Sequence, residues 1–212
     1  MIAEIISHIN ESIESTELIR TLHSLCELQT KDKQTFPCEY LSNGEFSALK
    51  LDNSQSEIYH RHNGSVSRSN KAKAIVGCDS AIEKNYPMLL IGFMPRIISG
   101  RDHAFIPDDV CEVISNAIDE RVAKSLTKTL GAMTTSINVN GYSVDSETIF
   151  AREFKGTETT LDPNYFMFEI SYDVLVLANE SCFKEWCDMD SCAGERQSVS
   201  SQSKVVTVLG HA

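Results

Sequence analysis

Residues 164–180 read NYFMFEISYDVLVLANE, the most organised stretch in the chain. In an extended chain successive side chains point to opposite faces. One face therefore carries Phe166, Phe168, Ile170, Tyr172, Val174 and Val176, all apolar or aromatic. The other carries Tyr165, Met167, Glu169, Ser171, Asp173, Leu175 and Leu177, apolar at both ends and polar in the middle. The pattern predicts a half-buried strand with a polar window. At about twice the usual strand length of roughly five to six residues, it is expected to run past its own sheet as a hairpin arm or to reach a neighbouring subunit.

The rest of the pattern builds an α+β chain, with a central, mostly antiparallel sheet flanked by helices. Ile2, Ile5, Ile6, Ile9 and Ile13 share one helical face, and Leu18, Ile19, Leu22, Leu25 and Cys26 share another. The second stripe is turned roughly 150° from the first, which calls for a break near Ser15 and Thr16 and a second short helix. FPCEYL (36–41) and FSALKL (46–51), joined across Asn43-Gly44, read as a hairpin. Residues 52–73 are polar with few apolar anchors and read as a long mobile loop or an arm ordered only on assembly. AIVGC (74–78) and YPMLLIGFM (86–94) follow as strands, the second apolar enough to be covered on both sides. Residues 108–130 make the best helix, with Val110, Val113, Ile114, Ala117, Val122, Leu126 and Leu130 as its stripe. TTSINVNGYSV (134–144), with a turn or bulge at Asn140-Gly141, and TIFAREF (148–154) read as further strands. One domain is expected over 1–187, with a flexible tail at 188–212.

Charge is the next constraint. A net charge of −11 disfavours a protein whose main task is gripping phosphate backbones. Residues 60–101 hold seven Lys or Arg against two acids, and residues 145–195 hold twelve acids against three bases. Opposed blocks suit head-to-tail contact between copies, although charge runs are commonly just solvated faces. The candidate interface residues are Arg61, Arg68, Lys71 and Lys73 of the basic loop, with Glu169 and Asp173 of the window. Those two carboxylates lie about 13 Å apart by strand rise, too far for a glycosidase pair. They read as a solvated or subunit-facing surface.

Chemistry is sparse. GxxxxGK, GxGxxG after a strand, HExxH and GxSxG do not occur. Cys182, Cys187 and Cys192 recur every five residues, but structural zinc favours closer pairs, and no histidine follows until His211. Asp188 and Asp190 fail the calcium-loop pattern at Cys192. His60 and His62 sit, on this reading, on opposite sides of an extended loop and do not converge. Catalytic residues, cofactors and metal ligands are therefore none. The seven cysteines are expected to be reduced thiols. The opening residues carry Glu4 and no basic cluster before an apolar run, and no apolar run reaches the roughly 20 residues of a membrane span, so a soluble protein made in a cytoplasm is expected.

The amino-terminal helix MIAEIISHINESI, the mid-chain helix 108–130 between strands, and the late run YFMFEISYDVLVL together resemble the tail-terminator and head-to-tail connector proteins of tailed bacteriophages. The resemblance spans most of residues 1–180 as a pattern of elements, without a diagnostic motif. It implies a non-enzymatic virion protein forming a ring of six or twelve copies, assembled in the host cytoplasm and contacting portal, neck or tail proteins. The ring would cap or join tubes through which DNA passes without specific binding, away from any membrane. Two other readings stand beside it: a cytoplasmic thiol-dependent enzyme, pairing Cys78, Cys111 or Cys182 with His60, His62 or His103, and a zinc-stabilised binding module.

Overall fold

The structure is a computed structural model and describes residues 2–40, 45–50, 55–70, 81–96, 105–129, 134–157 and 160–179. The first helix, α1 (Ile2–Glu14), forms where the isoleucine spacing places it, and Ile5, Ile6, Ile9 and Ile13 are buried. Ser15 Oγ and Thr16 Oγ1 donate to the carbonyls of Ser12 (2.7 Å) and Ile13 (2.6 Å). These two residues thus close α1 rather than cap a second helix.

The second expected helix is strand β1 (Thr21–Lys31). Its register against its neighbour shifts between Leu22, opposite Ile58, and Leu25, opposite His60. One extra residue in a bulge lets leucines three apart face the same side of a strand, which imitates helical spacing. After the shift, alternation resumes, with Leu25 packed on one core and Cys26 on the other.

β1 turns through Asp32 (φ 52°) and Lys33 (φ 68°) into β2 (Gln34–Tyr40), which pairs with β3 (Phe46–Ala48) as the sequence suggests. The tip residues 41–44 lie outside the described set. The expected mobile loop is corrected: within 55–70 it forms β4 (Glu57–His62) and β5 (Ser67–Asn70). β4 is polar yet largely buried because Glu57, Tyr59, His60 and Arg61 find partners, and a hydropathy reading cannot see partners.

β6 (Ala81–Pro95), α2 (Pro107–Thr129), β7 (Thr134–Ser143), α3 (Ser146–Glu153) and β8 (Tyr165–Asn179) complete the order. The strand expected at 74–78 and the tail at 188–212 fall outside the described residues. TIFAREF belongs to α3 and is not a strand; Asp145 Oδ1 accepts from the backbone N–H of Thr148 (3.2 Å) and starts the helix. On α2 the buried stripe is Val110, Cys111, Ile114 and Ile118, while Val113 is exposed, so the helix is rotated from the expected stripe. The bulge in β7 falls between Val139 and Gly141, one of the two outcomes expected for Asn140-Gly141.

The strands form one eight-stranded sheet in the order β3-β2-β1-β4-β6-β8-β7, with β5 beside β6. Among the described residues only β1 and β4 run parallel, so the fold is α+β and mostly antiparallel. β8 is long because its partner is: all fifteen residues pair with β6, from Tyr165 opposite Pro95 to Asn179 opposite Ala81. Its length is taken up inside its own sheet and does not form a projecting arm.

The two faces of β8 part as the alternation dictates. Phe166 through Val176 on the even positions are buried with α1 and α2 in the larger core. Gly92 makes room there: a Cβ on it would lie 2.1 Å from the ring of Phe168. On the odd positions Tyr165 and Met167 join Ile149 and Phe154, at the carboxyl end of α3, in a smaller core.

Candidate functional site

Past Met167 the odd face of β8 leaves its apolar cover. Glu169, Ser171, Asp173, Leu175 and Leu177 are partly exposed, and so are Asn85 and Pro87 beside them on β6. On the other side β7 contributes Asn138, opposite Asp173, and Ser136, opposite Leu175. Among the described residues, the smaller core stops at the Leu89 and Met167 rows. Half of one sheet face is thus a mixed apolar and polar surface on regular paired strands.

The border of that surface is charged and closely organised. Glu153 at the end of α3 is fully buried and accepts four hydrogen bonds: Tyr59 Oη (2.9 Å), Arg61 Nε (3.2 Å) and Nη2 (2.9 Å), and Arg152 Nε (2.8 Å). Arg152 Nη2 also donates to Glu169 Oε2 at 2.6 Å. A buried carboxylate at a helix carboxyl end opposes the helix dipole, and the two guanidinium groups offset this. Burial, followed by the negative charge of Glu153, pushes the Tyr59 hydroxyl well above its ordinary pKa. For Arg152 burial acts against the charged form, yet the hydrogen bonds it donates to Glu169 and Glu153 prevail and raise its pKa.

The candidate interface residues are therefore divided. Arg61 is no loop residue: it lies in β4 with its side chain 15% exposed and committed to Glu153. Arg68 is exposed on β5. Lys71 and Lys73 lie outside the described residues. Glu169 and Asp173 do share the open face, but each has a partner, Arg152 for the first and Asn140 Nδ2 (2.9 Å) for the second. Sequence reasoning missed Glu153 and Arg152. The spacing of Ile149 and Glu153, four apart on a helix begun by Asp145, was the signal that could have found them.

His60 and His62 stand two apart on a strand and so share a face, contrary to the expectation of opposite sides. His60 is 0% exposed, between Tyr172 Oη at Nδ1 (2.8 Å) and Asn10 Oδ1 at Nε2 (2.9 Å). Asn10 spends its Nδ2 on the carbonyl of His23, so its oxygen faces the ring. Nε2 therefore carries the proton, and Tyr172 donates to Nδ1. Burial pushes the His60 pKa down to about 3, which keeps the ring neutral.

Cys111 is buried in the larger core, and burial, followed by the charge of Asp108, pushes its thiol up to about 12. A thiol so held gives no nucleophile near neutral pH. Cys78, Cys182 and His103, along with Cys187, Cys192, His211 and the Asp188 to Asp190 segment, lie outside the described residues. Among the described residues no three His, Cys, Asp or Glu side chains are placed to hold a metal ion. No described helix is long and apolar enough to cross a membrane.

One cavity of about 240 Å³ lies between the hairpin and α3, lined by Phe36, Leu49, Phe93, Phe150, Phe154 and Leu161. Lys50 and Asp162 also contribute to its lining. Thr157 and Thr160 complete the lining, so the cavity is aromatic on one part of its wall and polar on another. No protein-family model and no curated protein matches the chain.

Proposed function

We propose that the chain is a non-enzymatic structural protein of a tailed-phage virion, acting as a ring in the neck or tail that joins or caps the channel for the genome. The reading rests on one observation above the others. The odd face of β6 and β8 is covered by α3 at one end and left partly exposed at the other, where Leu175 and Leu177 stand among polar residues on strands paired with each other along their whole length. Such a surface, half apolar and of fixed register, is suited to the flank of an identical copy. The order of a leading amphipathic helix, a mid-chain helix between strands and a closing long strand supports the same reading. The Tyr59, Arg61, Arg152 and Glu153 cluster serves as the brace that holds α3 beside this surface.

Negative-stain imaging with light-scattering mass on the purified chain, at low and moderate salt, tests the reading. Closed rings of six or twelve copies are expected, and Leu175→Glu combined with Leu177→Glu should reduce them to monomers that keep the fold. A wild-type chain that stays monomeric at every salt concentration, alone and with partner virion proteins, would overturn the proposal.

A further inference from the structure

β1 changes partners along its length. Thr21, Leu22 and Leu25 pair in parallel with β4, whereas Cys26 to Lys31 pair antiparallel with β2, and the register shift lies between Leu22 and Leu25. His23 sits inside that shift, at the seam between the hairpin and the central sheet. Its main chain is fixed from α1, since Asn10 Nδ2 donates to its carbonyl at 3.0 Å.

Its ring spans three strands. Nε2 lies 3.1 Å from Glu57 Oε2 on β4, and Nδ1 lies 3.8 Å from Glu39 Oε2 on β2. The other oxygen of Glu39 accepts from Ser24, from its backbone N–H at 3.0 Å and its hydroxyl at 2.6 Å. Both ring nitrogens thus face carboxylates, and only the doubly protonated imidazolium serves both. The hydrogen bond to Glu57 raises the His23 pKa above 6.5 despite the opposing burial, and the charges of Glu57 and Glu39 add to it. Burial opposes ionisation of Glu39, but Ser24 and His23 together hold its carboxyl below the usual range.

We propose that His23 is a pH-sensitive latch that, when protonated, ties Glu39 of the β2–β3 hairpin to Glu57 of the central sheet. When the proton leaves to solvent, the ring no longer links the two carboxylates across β1. The hairpin then loosens at the bulge. Because the hairpin supplies Phe36 and Leu49 to the 240 Å³ cavity, the latch also sets how open that cavity is. The folded pKa lies above the unfolded one, so the latch is complete below about pH 6.5 and is lost as pH rises through the folded value.

Amide protection factors, corrected for intrinsic exchange, test this on the full chain at about pH 6 and about pH 8.5. Amides of Cys26–Lys31 and Gln34–Tyr40 should lose protection several-fold at the higher pH, relative to those of β6 and β8. His23→Gln should show the lower protection at both pH values, and Glu39→Gln should shrink the change. Hairpin and central strands moving in parallel, or an unaltered change in His23→Gln, would overturn the latch. Should that variant fail to fold, NMR titration of His23 in the wild type decides: a midpoint at or below 6.5 overturns it, and one above supports it.

Discussion

The two faces of the sheet are held by different means. Against α1 and α2 the contacts are isoleucine, phenylalanine, methionine and valine, and the polar groups there, His60 and Tyr172, are neutral and bonded to one another. Against α3 and the hairpin, the smaller core is ringed by the ionisable groups Glu57, Arg61, Glu153 and His23, bonded across strands. Burial of apolar area is non-directional, so the first face constrains volume; paired charges are directional, so the second constrains position. The open surface begins where the second set ends.

The largest effect expected lies on the apolar face. Gly92→Val drives a side chain into the Phe168 ring, with no room to yield inside a packed core. The expected outcome is loss of the cooperative unfolding transition, read by circular dichroism and chemical denaturation. On the charged face, Glu153→Ala leaves Arg61, Arg152 and Tyr59 without their shared acceptor and should cost about 3–5 kcal/mol by the same denaturation assay. Replacing Arg61 by Met and Glu153 by Leu together should recover most of that loss. A double variant no better than the single one would mean that this face is not held by the pair as such.

Acid sharpens the comparison from the other side. His60 takes up its proton near pH 3 when folded and near 6.5 when unfolded, so lowering the pH between those values favours the unfolded chain. Stability should fall by about 1.4 kcal/mol per pH unit over that window from this group. His60→Gln, which can accept from Tyr172 and donate to Asn10, should flatten that slope. The smallest expected effect is Asp145→Ala, which removes the cap of α3 and should be read as a slightly lower Tm.

What the sequence made legible follows the same division. The even face of β8, α1 and the existence of α2 were readable because apolar spacing places them, and the β2–β3 hairpin because Asn43-Gly44 lies between two strand-like runs. β1 was not, because its bulge gives leucines a helical spacing on a strand. β4 was not, because Glu57, His60 and Arg61 are buried only by virtue of His23, Tyr172 and Glu153, which are distant in sequence. α3 hid behind a β-like composition whose helical signal was a single aspartate. At the candidate site, the window on β8 was visible as a pattern, but its Arg152 and Asn140 partners were not.

The ladder between β6 and β8 sets the order in which the chain can fold. It joins Ala81–Pro95 to Tyr165–Asn179, so the centre of the sheet cannot register until the ribosome has released residue 179. The β1–β2 hairpin, closed by a two-residue turn at Asp32 and Lys33, can form long before. Until β8 arrives, β6, which β4 and β5 can already pair on one edge, offers its other edge unpaired over fifteen mostly apolar residues, and high-separation pairing of this kind is slow. The period between synthesis of residue 95 and docking of β8 is therefore when this chain is most exposed to aggregation, and when a chaperone would matter most to its yield.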